Sequence, residues 1–81
     1  MTHVHLFRGP DRVFGFTRDE SGKNLPIQFA PWTHFKSVEI HAGRPMPGVE
    51  VDECLADLGA YGVHITDAHR RITEEALAGQ R

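Results

Sequence analysis

Apolar and polar positions alternate at the start of the chain, where Val4 and Leu6 interleave with His3 and His5 and Phe7 follows. A period of two marks a strand with one buried face. Gly9-Pro10-Asp11 breaks the run before Val13-Phe14-Gly15-Phe16-Thr17, so residues 1–17 predict two short strands joined by a tight turn. Residues 18–24 are polar or glycine throughout and predict an exposed loop. Residues 25–34 are mostly apolar but hold Pro26 and Pro31, which disfavour a helix interior or a central strand. An extended edge segment is expected there, with Leu25, Ile27, Phe29 and Trp32 closing one side of the core.

Alternation returns at Phe35–His41, with Val38 and Ile40 on one face and Ser37, Glu39 and His41 on the other, which predicts a third strand. Residues 42–48 form a connecting loop. From Asp52 the period lengthens: Val51, Leu55 and Leu58 stand at i, i+4 and i+7, Cys54 and Tyr61 adjoin them, and Glu53 and Asp57 are assigned to the wet side. Asp52 and Glu53 suit the positive end of a helix dipole, and Gly62 suits its C-terminal stop. Val63-His64-Ile65 then predicts a short strand. Asp67 is placed to cap a last helix running to about Gly79, with Arg70–Glu74 and Arg71–Glu75 as i, i+4 pairs. Its apolar stripe, Ala68, Ile72, Ala76 and Leu77, is thin enough to suggest loose packing or packing on another subunit. The expected fold is α+β: one small domain over residues 1–81, with a mixed or antiparallel sheet of three to four strands and two helices on one face, in the order β-β-β-α-β-α. Were strands three and four parallel neighbours, their crossover would be right-handed.

Length supports one thin core: at 81 residues roughly 60% of the unfolded chain's surface is buried on folding. Apolar residues at 40% and charged residues at 25% fit a globule and argue against disorder. The formal charge of −2 lacks the field that drives non-specific nucleic-acid binding. It is unevenly spread, with five basic against three acidic residues in 1–36 and four against eight in 37–81. The single cysteine, Cys54, allows no intrachain disulfide and no multi-cysteine zinc site, which fits a reducing compartment. The run Met1–Leu6 has neither a basic nor a long apolar stretch, and no 18 apolar residues are consecutive, so a soluble cytoplasmic protein without membrane contact is expected.

Local catalytic signatures are missing. Gly22-Lys23 is followed by Asn24 and has the wrong glycine spacing for a phosphate loop, while Lys23 would occupy a calcium-ligand position in an EF-hand reading of Asp19-Ser21-Lys23. Neither Gly-x-Ser-x-Gly nor His-Glu-x-x-His occurs.

Histidine placement is the feature that carries chemistry. His3, His5, His41 and His64 all fall on the non-core face of predicted strands, and on adjacent strands they would form a zinc site; solvated polar positions explain the same pattern. His64, Asp67 and His69 make a second group in which a carboxylate orients imidazoles for acid–base work, against the simpler reading of Asp67 as a helix cap. Cys54 near a helix start is either an activated thiol or a small buried hydrophobe, and packing beside Leu55 and Leu58 favours the second. Arg8, Arg12 and Arg18 around the Gly9-Pro10-Asp11 turn offer an anion site or a self-neutralised turn. Trp32, flanked by His34 and Phe35, offers a partner anchor or a core side chain.

These features support a small interaction or accessory module without catalytic activity or cofactor. It would bind a protein partner or a second copy of itself, with Trp32, His34, Arg8 and Arg12 as contact residues. The alternative is a zinc-binding protein built on His3, His5, His41 and His64.

Overall fold

The structure is a computed structural model that describes residues 2–68 and 70–78. The two N-terminal alternating runs form β1 (Thr2–Arg8) and β2 (Val13–Thr17). They pair antiparallel with Arg8 opposite Phe14, and the Gly9 N–H closes the turn by donating to the Val13 carbonyl at 2.9 Å. After the loop come β3 (Thr33–Ile40), α1 (Val51–Tyr61), β4 (Val63–Asp67), β5 (Arg70–Arg71) and α2 (Thr73–Ala78). The strands form one sheet in the order β3-β1-β2-β4-β5, and every neighbouring pair is antiparallel.

The α+β class agrees with the sequence; the arrangement is richer by the short strand β5. β3 and β4 are not neighbours, because β3 pairs outside β1 while α1 carries the chain over to the far side of β2. The crossover between parallel strands therefore does not arise.

The helices cover opposite faces of the sheet, not a common one. Val51, Cys54 and Leu58 of α1 pack with Val4, Leu6, Phe16 and Ile40 on one face. On the other, Phe7, Val13, Val63 and Ile65 pack with Leu25 and with Ile72 and Ala76 at α2. The chain demands this because β1 and β2 present apolar groups in both directions, Val4, Leu6 and Phe16 to one face and Phe7 and Val13 to the other, which a single covered face would leave wet. Gly15 serves this second face by its lack of a side chain: a Cβ there would lie 2.7 Å from Leu25 Cδ2 and 3.1 Å from Trp32 Cζ3.

Segment 25–34 divides differently from expectation. Leu25 is buried and Phe29 and Trp32 pack against the second core, but Ile27 is 79% exposed in a 3₁₀ turn over Ile27–Phe29. The first helix ends as read: Gly62 adopts φ 83°, open to glycine, and its N–H donates to the Leu58 carbonyl at 3.1 Å. Arg18 donates to the same carbonyl at 3.0 Å, tying the polar loop to the helix end.

The last helix begins at Thr73, not at Asp67. Asp67 instead ends β4 opposite Arg70, with Ala68 turning at φ 50°. The Arg70–Glu74 and Arg71–Glu75 helical pairs are replaced, since Arg71 lies in β5 and bonds Asp57 and Glu74. Its expected terminus, Gly79, lies outside the described residues, as does His69.

Candidate functional site

The polar centre of the molecule is a carboxylate that α1 carries inward. Asp57 stands on the flank of the Val51–Cys54–Leu58 stripe and is 3% exposed, contrary to its expected place on the wet side. It accepts four hydrogen bonds. Oδ2 receives His64 Nδ1 at 2.7 Å, Thr73 Oγ1 at 2.8 Å and Arg71 Nε at 2.9 Å, and Oδ1 receives Arg71 Nη2 at 2.7 Å. Each donor comes from a different element: His64 from β4, Arg71 from β5 and Thr73 from the start of α2. Thr73 Oγ1 also accepts the Ile65 N–H at 3.0 Å. Burial pushes the Asp57 carboxyl up, but the hydrogen bonds from Arg71, His64 and Thr73, with the charge of Arg71, outweigh it and hold the group below its ordinary value. Hydrogen bonds to Asp57 and Glu74 raise the Arg71 guanidinium further, so it stays charged.

His64 is 2% exposed and packs its ring 5.3 Å from that of Phe16. This overturns its assignment to an open wet face. Because the carboxylate only accepts, the shared hydrogen resides on Nδ1, which makes Nε2 the acceptor of the neutral imidazole. His64 lines a cleft of about 290 Å³ between the sheet and segment 46–53, whose polar wall also includes Glu50, Glu53 and Arg71. A neighbouring apolar compartment of about 180 Å³ shares Phe16, Met46, Val49 and Thr66 with it and extends to Phe14, Phe35 and Val38.

The proposed zinc ligands do not converge. His3 and His5 occupy the face of Phe7, their rings 5.1 Å apart, while His64 points to the opposite face and is committed to Asp57. His41 lies beyond the end of β3. Among the described residues no group of three or more His, Cys, Asp or Glu side chains is positioned to hold a metal ion. The imidazole that joins His5 is His34: a bulge between Leu6 and Phe7 in the β1–β3 ladder sets His34 opposite Phe7, and both His5 and His34 reach Ser37 Oγ, at 2.8 and 3.1 Å.

Asp67 does not meet His64 as a dyad; Asp57 takes that role. Cys54 is fully buried, and burial, with a smaller contribution from Asp57, pushes its thiol up to about 12. It is therefore a packed hydrophobe at neutral pH. Trp32 is half-buried, with its indole N–H donating inward to the Pro26 carbonyl at 2.8 Å. Arg8 and Arg12 are exposed, and the Arg8 guanidinium lies 5.3 Å from the Phe35 ring centroid. Lys36 approaches the same ring at 5.6 Å, and Phe35 is 50% exposed.

Asp57, Arg71 and Thr73 are the site residues that the sequence reading missed. The available signal was the placement of Asp57 beside the apolar stripe together with the position of His64 inside an otherwise apolar strand. Comparison with protein-family models, with curated proteins and with solved structures finds no match to this chain.

Proposed function

We propose that the protein is a small, non-catalytic interaction module that takes an extended segment of a protein partner along the free edge of β3. The observation that carries this reading is the edge itself: the eight-residue strand Thr33–Ile40 pairs with β1 on one side and with no strand of the described residues on the other. Such an edge offers unpaired N–H and C=O groups to an incoming strand. Phe35 projects beside it under Arg8 and Lys36, so the segment that fits carries carboxylates next to an apolar side chain. Arg8, Arg12, Trp32 and His34 gather toward the same end of the sheet, where β1 turns into β2 and β3 begins.

Absence of catalysis is supported by the state of the nearby hydroxyl and thiol. Thr73 is bonded to Asp57 and Ile65, and the Cys54 thiol is buried and protonated at neutral pH. No helix among the described residues is long and apolar enough to cross a membrane. Action in the reducing cytoplasm is part of the proposal and draws on the lone cysteine.

An amide NMR titration with a blocked decapeptide of alternating Val and Glu tests the reading. Shifts and slowed exchange confined to β3, stronger than with the Val/Lys counterpart and weakened by Lys36→Glu, are expected. Shifts outside β3, or equal binding of the two peptides, would overturn it; a doubled mass by light scattering without peptide would assign the edge to self-association instead.

A further inference from the structure

The cleft beside His64 joins, through the apolar compartment, Phe35 and Val38 of β3, but its polar end lies away from the β3 backbone edge and has its own chemistry. Asp57 occupies Nδ1, and His64 makes no other hydrogen bond among the described residues. No buried side-chain nitrogen or oxygen there lacks a partner, so Nε2 is reached from the cleft that His64 lines. A nearly buried imidazole, held in one tautomer and presenting one free lone pair to a cavity, is a formed acceptor.

The remaining polar wall points the same way. Glu50 and Glu53 form no ion pair among the described residues, whereas the charge of Arg71 is already matched by Asp57 and Glu74. This end of the cleft is therefore rich in acceptors and net negative. The adjoining wall is apolar, formed by Phe16, Met46 and Val49, and opens into the compartment bounded by Phe14 and Val38. A ligand satisfying both halves must bring N–H donors with positive charge at one end and a compact apolar body at the other.

We propose that this cleft binds a small amphipathic primary amine, with its ammonium group donating to His64 Nε2 and to Glu50 and Glu53, and its apolar body against Phe16, Met46 and Val49. The turn over Met46–Val49 is positioned to hold that body, since the Val49 N–H closes it on the Met46 carbonyl at 3.1 Å. A carboxylate of the same shape would meet two like charges and a lone pair. Discrimination therefore rests on the sign of the head group.

The test compares 2-phenylethylammonium with phenylacetate by NMR titration of the full chain, reading the His64 ring and the Phe16 and Val49 side chains. Saturable shifts at those groups are expected, with the ammonium bound at least about tenfold more tightly, as charge-assisted hydrogen bonds imply. The double variant Glu50→Gln, Glu53→Gln alters exposed side chains, keeps their size and should remove about that tenfold preference. Equal affinity for the two probes, a preference that survives the double variant, or no saturable shift at these groups would overturn the proposal. Because the readout avoids β3 amides, its failure is distinguishable from failure of the edge-binding reading.

Discussion

Asp57 joins four elements through one side chain, so its loss is expected to act beyond its own helix. Replacement by alanine leaves the buried His64 and Thr73 without this acceptor, while the partly exposed Arg71 keeps Glu74, and leaving buried polar groups unpaired typically costs on the order of 1 to 3 kcal/mol each. Chemical denaturation at pH 7 would measure it. The same residue makes a pH-dependent prediction. Its folded value is depressed below the ordinary carboxyl value of 3.8, so the unfolded chain binds the proton more readily. The stabilisation is therefore fully present above that value and is lost as pH falls through the folded one. Asp57→Asn should be less stable than the parent at pH 7, and the gap should narrow toward pH 3. A gap that stays constant across that interval would mean that ionisation of Asp57 contributes nothing.

At the level of elements, the second core depends on a missing side chain in β2. Leu25 and the Trp32 ring meet over Gly15, and Trp32 is anchored by its bond to the Pro26 carbonyl, so neither neighbour retreats freely. Gly15→Ala is expected to cost about 1 to 3 kcal/mol, the usual range for overpacking. A lower urea midpoint with an unchanged slope, together with a shift in Trp32 emission, would identify that cause. The elements themselves were legible where a period was long enough to read: β1, β2, β3, β4 and α1 with its Gly62 stop all follow from spacing. What periodicity lacks is neighbourhood. Nothing in Val63-His64-Ile65 says that β4 lies inside the sheet under α1, so periodicity alone assigns the buried His64 to water. Nor does the run from Thr33 to Ile40 announce a bulge, which brings His34 to the face of His5 and Phe7. The start of α2 departs from the local signal for a related reason. Asp67 is a good cap in isolation, but the Asp57 carboxylate draws Arg71 into a strand and Thr73 to the helix start.

Across the whole molecule, α1 is the piece that joins the two halves of the sheet. Its apolar side packs on β1 and β2 through Val4, Leu6 and Phe16, and Asp57 fastens it to β4, β5 and α2. Cys54 sits on the sheet-facing side of this helix with no exposure, and its thiol, pushed up to about 12, supplies little thiolate at pH 7. A reagent can reach it only after α1 leaves the sheet, which breaks the first core and the Asp57 network together. Labelling by a water-soluble disulfide reagent should therefore be slow in buffer and should accelerate with urea along the slope of global unfolding. When reclosing outpaces labelling, Asp57→Asn should speed the reaction by the same factor by which it lowers the folding equilibrium. Rapid labelling independent of urea would show instead that α1 detaches locally, and the two halves of the sheet would then owe their union to the strands alone.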